Sequence, residues 1–398
     1  MARFTVEFLG CKVSQTDAQE IRERLVAGGH VESAEAADVA VVNTCCVTHE
    51  AVRKSRQAAR RAARRVPRVY VTGCAANLAG NAFAGLPKNV GVVRLPSERA
   101  AGFVAGDVGA IGCVRAEAGL DRVRAFVKVQ DGCSFACAFC VIPQVRGRSR
   151  SRAAAAVLGE IRRRVEQGHR EVVLTGINLG CYRDRDARMD LARLIRAAGE
   201  TPRLARLRLS SLEVNHLSDD LVAAMRETPT VSPHLHVPLQ SGDDRVLAAM
   251  GRRYTVASYL RRLERAAGFN LTTDVIVGFP GEDEDAFAST LRVVEAAGIT
   301  KVHVFPYSPR PGTRTEAEDS VPQAVKKERS GRLRAFSREA CRRRWRAKVG
   351  SEDVVLVDRP GRGYGDDYSP WLVDADVGEL VRVRARGVTA EGILGVAA

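Results

Sequence analysis

Short apolar runs alternate with helical patterns along most of this sequence, and no other feature restricts the fold as strongly. A chain that repeats strand then helix builds parallel sheets whose faces the helices cover. Up to about residue 115 the apolar runs are 4–10, 38–44 and 68–73, with helical patterns at 16–27 and 49–65. Each run stops at a cysteine: Cys11, Cys45 and Cys74 in turn. Their spacing of about 30 residues is that of a βαβ unit. Strands of a parallel sheet all point one way, so their C-terminal ends line a single edge, where ligands of open α/β sheets bind. Topology therefore gathers these three thiols into a candidate metal site. Cys46 adjoins Cys45 and is expected to point elsewhere, as a spare thiol. Cys113, Cys181 and Cys341 are likewise expected to be small packing residues.

Between residues 120 and 340 the alternation continues. Strand patterns fall at 125–130, 171–175, 205–210, 234–238, 273–278 and 302–306, with helical patterns at 152–167, 187–198, 218–227, 255–267 and 284–296. These units are too few for a closed eight-stranded barrel, so an open (β/α)6 barrel is expected. Just after its first strand stand Cys133, Cys137 and Cys140, spaced C-x3-C-x2-C. Three thiolates on one loop select zinc, copper(I) or iron–sulfur. A structural site prefers four ligands, and three leave one position open for chemistry. The other strand ends are polar or glycine-rich: Thr175-Gly176 and Asn178, Ser211 and Glu213, Gln240, and Asp274 to Gly278. They offer hydrogen bonds and close backbone approach, or are ordinary turn residues. His234 and His236 alternate on one strand and face one way, for packing or substrate contact. The basic run 146–152 is either a phosphate grip or a linker.

After Gly350 the pattern changes to short strands at 353–358, 371–373, 380–384 and 389–394, which suits a small nucleic-acid-binding barrel over 345–398 or a structural cap. The net charge of +15 over 398 residues points to a polyanionic partner, most simply nucleic acid, or to a biased composition. The helix after Cys45 carries Arg53, Lys54, Arg56, Arg60, Arg61, Arg64 and Arg65, for phosphate contact or as a solvated face. Ten cysteines in an otherwise ordinary chain fit metal ligation better than a disulfide scaffold. No apolar run approaches membrane-spanning length, and the first residues look like a strand rather than a signal peptide. A cytoplasmic protein without membrane association is expected.

The loop Gln130-Asp-Gly-Cys-Ser-Phe-Ala-Cys-Ala-Phe-Cys140 resembles that of radical S-adenosylmethionine (SAM) enzymes. The segments Leu9-Gly-Cys-Lys-Val-Ser-Gln15, Val42-Asn-Thr-Cys45 and Val71-Thr-Gly-Cys74 look like the N-terminal domain of the methylthiotransferase family within that class. Cys46 departs from the family pattern. The segment Gly363-Tyr-Gly-Asp-Asp-Tyr-Ser-Pro-Trp371 looks like the aromatic stretch of an RNA-binding TRAM domain. The resemblance implies an α/β chain of three parts: a parallel-sheet domain over 1–115, a partial (β/α)6 radical SAM barrel over 120–340, and a small TRAM-like β-barrel over 345–398. It implies two [4Fe–4S] clusters, one on Cys133, Cys137 and Cys140 and one on Cys11, Cys45 and Cys74. It places SAM against Thr175, Gly176, Asn178, Ser211, Glu213, Gln240, Asp274 and Gly278. Gln130–Cys133, Leu174-Thr-Gly-Ile-Asn-Leu-Gly180 and Ser210–Glu213 are most similar to the branch acting on N6-threonylcarbamoyladenosine in tRNA. That branch inserts sulfur and a methyl group at C2 of the adenine by radical chemistry. Alternatives are the isopentenyl-adenosine tRNA enzyme, the ribosomal-protein aspartate enzyme, and a non-catalytic iron–sulfur RNA-binding protein. A tRNA substrate, a reductant such as flavodoxin or ferredoxin, and a monomeric state are expected.

Overall fold

The structure is a computed structural model that describes residues 1–33, 35–109 and 123–398. Cys113 and the expected boundary between the first two parts lie outside the described residues. The chain forms two compact units. One holds the N-terminal segment together with Asp131–Arg150 and Ser308–Ala317, and the other holds the rest. Compactness therefore groups the cluster loop with the N-terminal sheet, and the C-terminal β module with the (β/α)6 strands.

The first unit is built on a five-stranded sheet in the order Val31–Glu32, Arg3–Phe8, Val39–Thr44, Arg68–Gly73 and Val90–Val92. All neighbours are parallel, with Phe4 opposite Val39 and Thr44 opposite Gly73. Val39–Thr44 is central and wholly buried. Alternation splits it between two cores. Val39 and Val41 join Phe4, Ile21 and Leu25 on one face, while Ala40 and Val42 join Ala58, Val69 and Val71 on the other. Each fully buried valine contributes roughly 1.5–3 kcal/mol. That is why the segment reads as continuous apolar sequence rather than alternating. Helices Lys12–Ala27 and His49–Ala63 follow their strands as expected, the second capped by the Thr48 hydroxyl, which accepts from Ala51 N–H at 3.1 Å. A further helix, Ser97–Val108, was not anticipated; it packs Ala100, Ala101 and Val104 into the core with Phe4 and Val41. Val141 and Val145 from the cluster-loop segment pack into the same core as Val42, Val71 and Cys74.

In the second unit, strands Arg124–Lys128, Glu171–Thr175 and Arg206–Leu209 pair in parallel, as do His234–His236, Asn270–Val277 and Lys301–Pro306. Bridges Leu207–Val231 and Ser211–His236 join the two halves, giving six strands in sequence order. Val172, Leu174, Leu207, Leu209, Leu235 and Val275 point out into one core shared with the surrounding helices. Their neighbours along each strand point inward and are largely polar, because strand side chains alternate.

The C-terminal segment closes a five-stranded barrel in the order Glu352–Arg359, Arg362–Tyr364, Pro370–Leu372, Ile393–Ala397 and Leu380–Val388, around a fully buried Trp371. Its segment 364–369 lies against the N-terminal ends of the six strands. There Glu171 is 1% exposed and accepts from Arg206 Nη1 at 3.2 Å and Arg208 Nε at 2.8 Å, with Arg124 Nε 3.5 Å away. Burial alone would raise the Glu171 pKa, but the three guanidiniums hold it below the ordinary value. Arg206 also donates to Tyr364 O at 3.1 Å, and Arg208 to Gly365 O at 2.8 Å. Tyr364 and Tyr368 stack at 4.7 Å, with Arg124 over one ring and Arg208 over the other. The aromatics noted in the sequence are thus spent on this floor.

Candidate cysteine centres and cofactor pocket

The cysteine edge of the first unit follows from glycine as much as from strands. Gly10 and Gly73 have φ of 129° and 92°, values that side chains with a Cβ avoid. A Cβ on Gly73 would lie 2.1 Å from Asn43 Oδ1, and one on Gly10 would lie 3.2 Å from Cys45 Sγ. Each glycine therefore turns the chain at its strand end and lets the next cysteine close on its neighbours. Asn43 Nδ2 donates to Ser14 O at 2.6 Å, and Cys74 N–H donates to Thr44 O at 3.0 Å. Cys11, at the start of its helix, has Ser14 Oγ 3.7 Å from its sulfur. Burial pushes the Cys45 thiol up to about 11.

Cys74 differs from the other two. Arg146 Nε donates to its sulfur at 3.0 Å, while Nη1 reaches Asp131 at 3.1 Å and Nη2 reaches Asp17 at 2.7 Å. Arg146 is buried, so it is a bracket inside the unit and not part of a phosphate grip. Cys46 is buried in the same apolar cluster as Cys74. The neighbouring Cys46 thiol first, then Arg146, draws Cys74 down to about 7 against the effect of burial, and Cys46 is raised in turn. Cys46 thus does not point away from the site, as its place beside Cys45 suggested.

The second triplet sits on a loop held at both ends. Gly132 has φ of 67°, and a Cβ there would lie 2.2 Å from Arg148 O. Cys133 N–H donates to Gly147 O at 3.0 Å, and Phe135 N–H lies 3.4 Å from Cys133 Sγ. The short helix Ile142–Arg146 follows. Segment 308–317 supports the loop from outside: Thr315 Oγ1 donates to Ala138 O at 3.2 Å, Arg314 to Ala136 O at 3.1 Å, and Gln144 to Gly312 O at 2.6 Å. Sequence reasoning missed this segment. Its only signal is the Pro-Gly turn at 311–312.

Among the described residues no three histidine, cysteine or carboxylate side chains converge as they would round one metal ion. Thiolates on the corners of a four-iron cube stand farther apart. Two sets of three soft donors, each with a corner left over, fit [4Fe–4S] clusters by donor chemistry.

In the second unit the strand ends carry unspent polar atoms. Thr175 Oγ1 and Asn178 Oδ1 are buried without a partner in the protein, a cost that a bound ligand would remove. Asn178 N–H donates to Gln130 Oε1 at 2.8 Å, and a Cβ on Gly176 would lie 3.0 Å from the same oxygen. Gln130, overlooked as a site residue, therefore shapes this corner. Gln240 holds φ of 68° while its N–H donates to Asp274 O at 2.9 Å, a strained geometry of the kind concentrated at functional sites. The rest of the expected pocket is partly committed. Glu213 accepts from Asn215 N–H and Nδ2, both at 3.0 Å. Asp274 pairs with His236 Nε2 at 3.2 Å. A Cβ on Gly278 would lie 2.4 Å from Lys326 Cγ, so protein occupies that side of it. Ser211 bridges to His236 across the sheet. His234 packs on Tyr368 and bonds Thr272 Oγ1 at 3.1 Å. Cys341 donates to Thr300 O as a packing residue, and Cys181 lies 3.4 Å from His216 Nε2.

Residues 127–294 match the Radical SAM superfamily, the class to which a C-x3-C-x2-C loop following a first strand points. Residues 3–94 match a family described as "Uncharacterized protein family UPF0004". The chain is 34% identical over 414 residues to the threonylcarbamoyladenosine tRNA methylthiotransferase MtaB of Chlamydia pneumoniae, covering 98% of this chain and 97% of that one. It is 32% identical to the protein of the same name from Thermotoga maritima, covering 99% and 96%. It is also 35% identical to the tRNA-2-methylthio-N(6)-dimethylallyladenosine synthase of Paracoccus denitrificans, covering 99% and 96%. Among solved structures, the radical SAM methyltransferase TsrM of Kitasatospora setae aligns with a TM-score of 0.57 at 15% identity over 79% of this chain and 77% of that one, a likeness of fold. The chain belongs to the radical SAM methylthiotransferase family, and it is an enzyme.

Proposed function

We propose that this enzyme adds a methylthio group to N6-threonylcarbamoyladenosine in tRNA. The observation that carries the reading is the grouping of both cysteine triplets in one compact unit. Full-length similarity to enzymes named for that nucleoside supports the substrate, together with the motifs at Gln130–Cys133 and Ser210–Glu213. Similarity to the dimethylallyladenosine synthases is of the same order, which makes their nucleoside the second reading.

Cys133, Cys137 and Cys140 would hold one [4Fe–4S] cluster, and Cys11, Cys45 and Cys74 the other. When bound, the clusters and SAM supply the electron, the sulfur and the methyl group. The chain supplies placement. The buried Thr175 hydroxyl and Asn178 carbonyl would bond SAM, with Gly176 giving it room beside Gln130. The packed floor of Glu171 and its arginines keeps water from one end of the barrel. Arg60, Arg64 and Arg65 are a basic face suited to tRNA phosphates. A modified base within a loop is read once it is turned out of its stack. A flavodoxin- or ferredoxin-type reductant, a monomer and a cytoplasmic setting complete the reading; among the described residues no helix is long and apolar enough to cross a membrane.

Mass spectrometry of tRNA nucleosides from a deletion strain tests it. Loss of 2-methylthio-threonylcarbamoyladenosine, with the isopentenyl counterpart unchanged, is the expected result, and the reverse pattern would reject the substrate. Anaerobic reconstitution should load about eight irons per chain, four for each cluster.

A further inference from the structure

Above the packed floor, the inner wall of the six-stranded unit carries a second polar layer. His234 rests on Tyr368 of the floor, and His236, two residues on, stands in the next layer because strand side chains alternate. Its Nε2 lies 3.2 Å from Asp274 Oδ1 and its Nδ1 lies 3.0 Å from Thr272 Oγ1. His303 is the partner of Asp274 on the adjoining strand, and its ring centroid lies 5.5 Å from that of His236. Val302 and Val304 face the outer core, so His303 faces inward with the other two. The group is not sealed: the His236 and Asp274 side chains are 13% and 26% exposed, and His303 is exposed. One step further along the same strands Ile276 pairs with Phe305, both half-buried. Two contacts tie the layer to the strand ends, the Ser211–His236 bridge and the Gln240 N–H donated to Asp274 O at 2.9 Å.

We infer that His303, with the His236–Asp274 pair, is the specificity-determining group that receives the threonylcarbamoyl substituent on N6 of the substrate adenine. The inference rests on the substrate given under the proposed function and deepens it. That substituent carries a hydroxyl, a carboxylate and ureido N–H groups. An imidazole N–H can donate to its carboxylate, and Asp274 can accept from its hydroxyl or N–H. Ile276 and Phe305 give the flat adenine ring an apolar wall nearer the strand ends. An isopentenyl group offers none of these partners. Seated here, it would strip water from a His–Asp pair and return no hydrogen bond, a cost of the kind that sets substrate preference.

The test uses the reconstituted holoenzyme and stem-loop RNAs that carry N6-threonylcarbamoyladenosine, N6-isopentenyladenosine or adenosine at the same position. The native protein should bind the first most tightly and methylthiolate it. His303→Leu should raise KM for that RNA about tenfold with kcat held within about twofold, and should erase most of its binding advantage over the adenosine RNA. His303→Gln keeps a donor and should retain most of that advantage, which a role in packing alone does not predict. Both variants exchange an exposed side chain and should fold as the native protein does. An unchanged preference in His303→Leu overturns the inference. So does an equal loss of binding for all three RNAs, or a His303→Gln protein that behaves like His303→Leu. A native protein that methylthiolates the isopentenyl RNA and not the threonylcarbamoyl RNA instead rejects the substrate, and this inference with it.

Discussion

The two ends of the barrel strands are built on opposite principles. At the N-terminal ends Glu171, Arg206, Arg208 and the carbonyls of the 364–369 segment pair with one another, each guanidinium spread over several acceptors, although Ser369 Oγ is buried without a bond and Tyr368 has φ of 67°. At the C-terminal ends Thr175 Oγ1 and Asn178 Oδ1 are buried with nothing to bond, and Gln240 keeps a backbone angle it would otherwise avoid. Both ends are polar and buried, so polarity alone does not mark a site. What distinguishes them is charge: the ionised groups of the first end are matched within the chain, whereas the buried oxygens of Thr175 and Asn178 at the other are neutral acceptors with room for a donor.

That contrast is open to attack from both sides. The largest effect is expected at the floor. Glu171→Gln leaves three buried arginines short of their counter-charge and should cost about 3–5 kcal/mol in chemical denaturation, with no change in SAM affinity beyond the loss of folded protein. Gly278→Ala drives a methyl group into Lys326 at a positive φ and should cost roughly 1–3 kcal/mol, read by the same melt. Asp367 gives a pH test. Burial would raise its pKa, but Lys348 and Arg344, at 3.0 and 2.6 Å, outweigh that and hold it well below the usual carboxylate range. A depressed folded value means that its contribution is fully present above the ordinary pKa of about 4 and is lost as pH falls below it. Thermal midpoints should therefore drop more steeply below about pH 4 in the native protein than in Asp367→Asn. Smallest in stability, and most telling for function, is Thr175→Val. Removing an unpartnered hydroxyl should leave the melt within about 0.5 kcal/mol while weakening SAM binding about tenfold by calorimetry. A destabilised Thr175→Val protein with normal SAM affinity would erase the distinction between the two ends.

Much of this was legible in the residues. The C-x3-C-x2-C loop is a local pattern, so its ligands announce themselves. The other triplet is spread over more than 60 positions, yet each member follows an apolar strand, and parallel topology does the gathering. The six barrel strands were visible because their outward sides must be apolar. Contacts that join distant parts of the chain were hidden. Arg146 looked like one of several exposed arginines until Asp17 and Asp131 enclosed it. Tyr364 and Tyr368 looked like a surface for bases, and only the packed structure shows them stacked beneath Arg124 and Arg208. Strand Arg362–Tyr364 was missed because Arg-Gly-Tyr carries no apolar alternation.

The cysteine-bearing unit draws its walls from three separated stretches of chain, and Thr315 is among the last residues to brace the loop at Ala138. A ribosome releases those stretches in order, so the enclosure stays incomplete through most of translation. The housing of both cysteine triplets is thus complete only once residue 317 has been made.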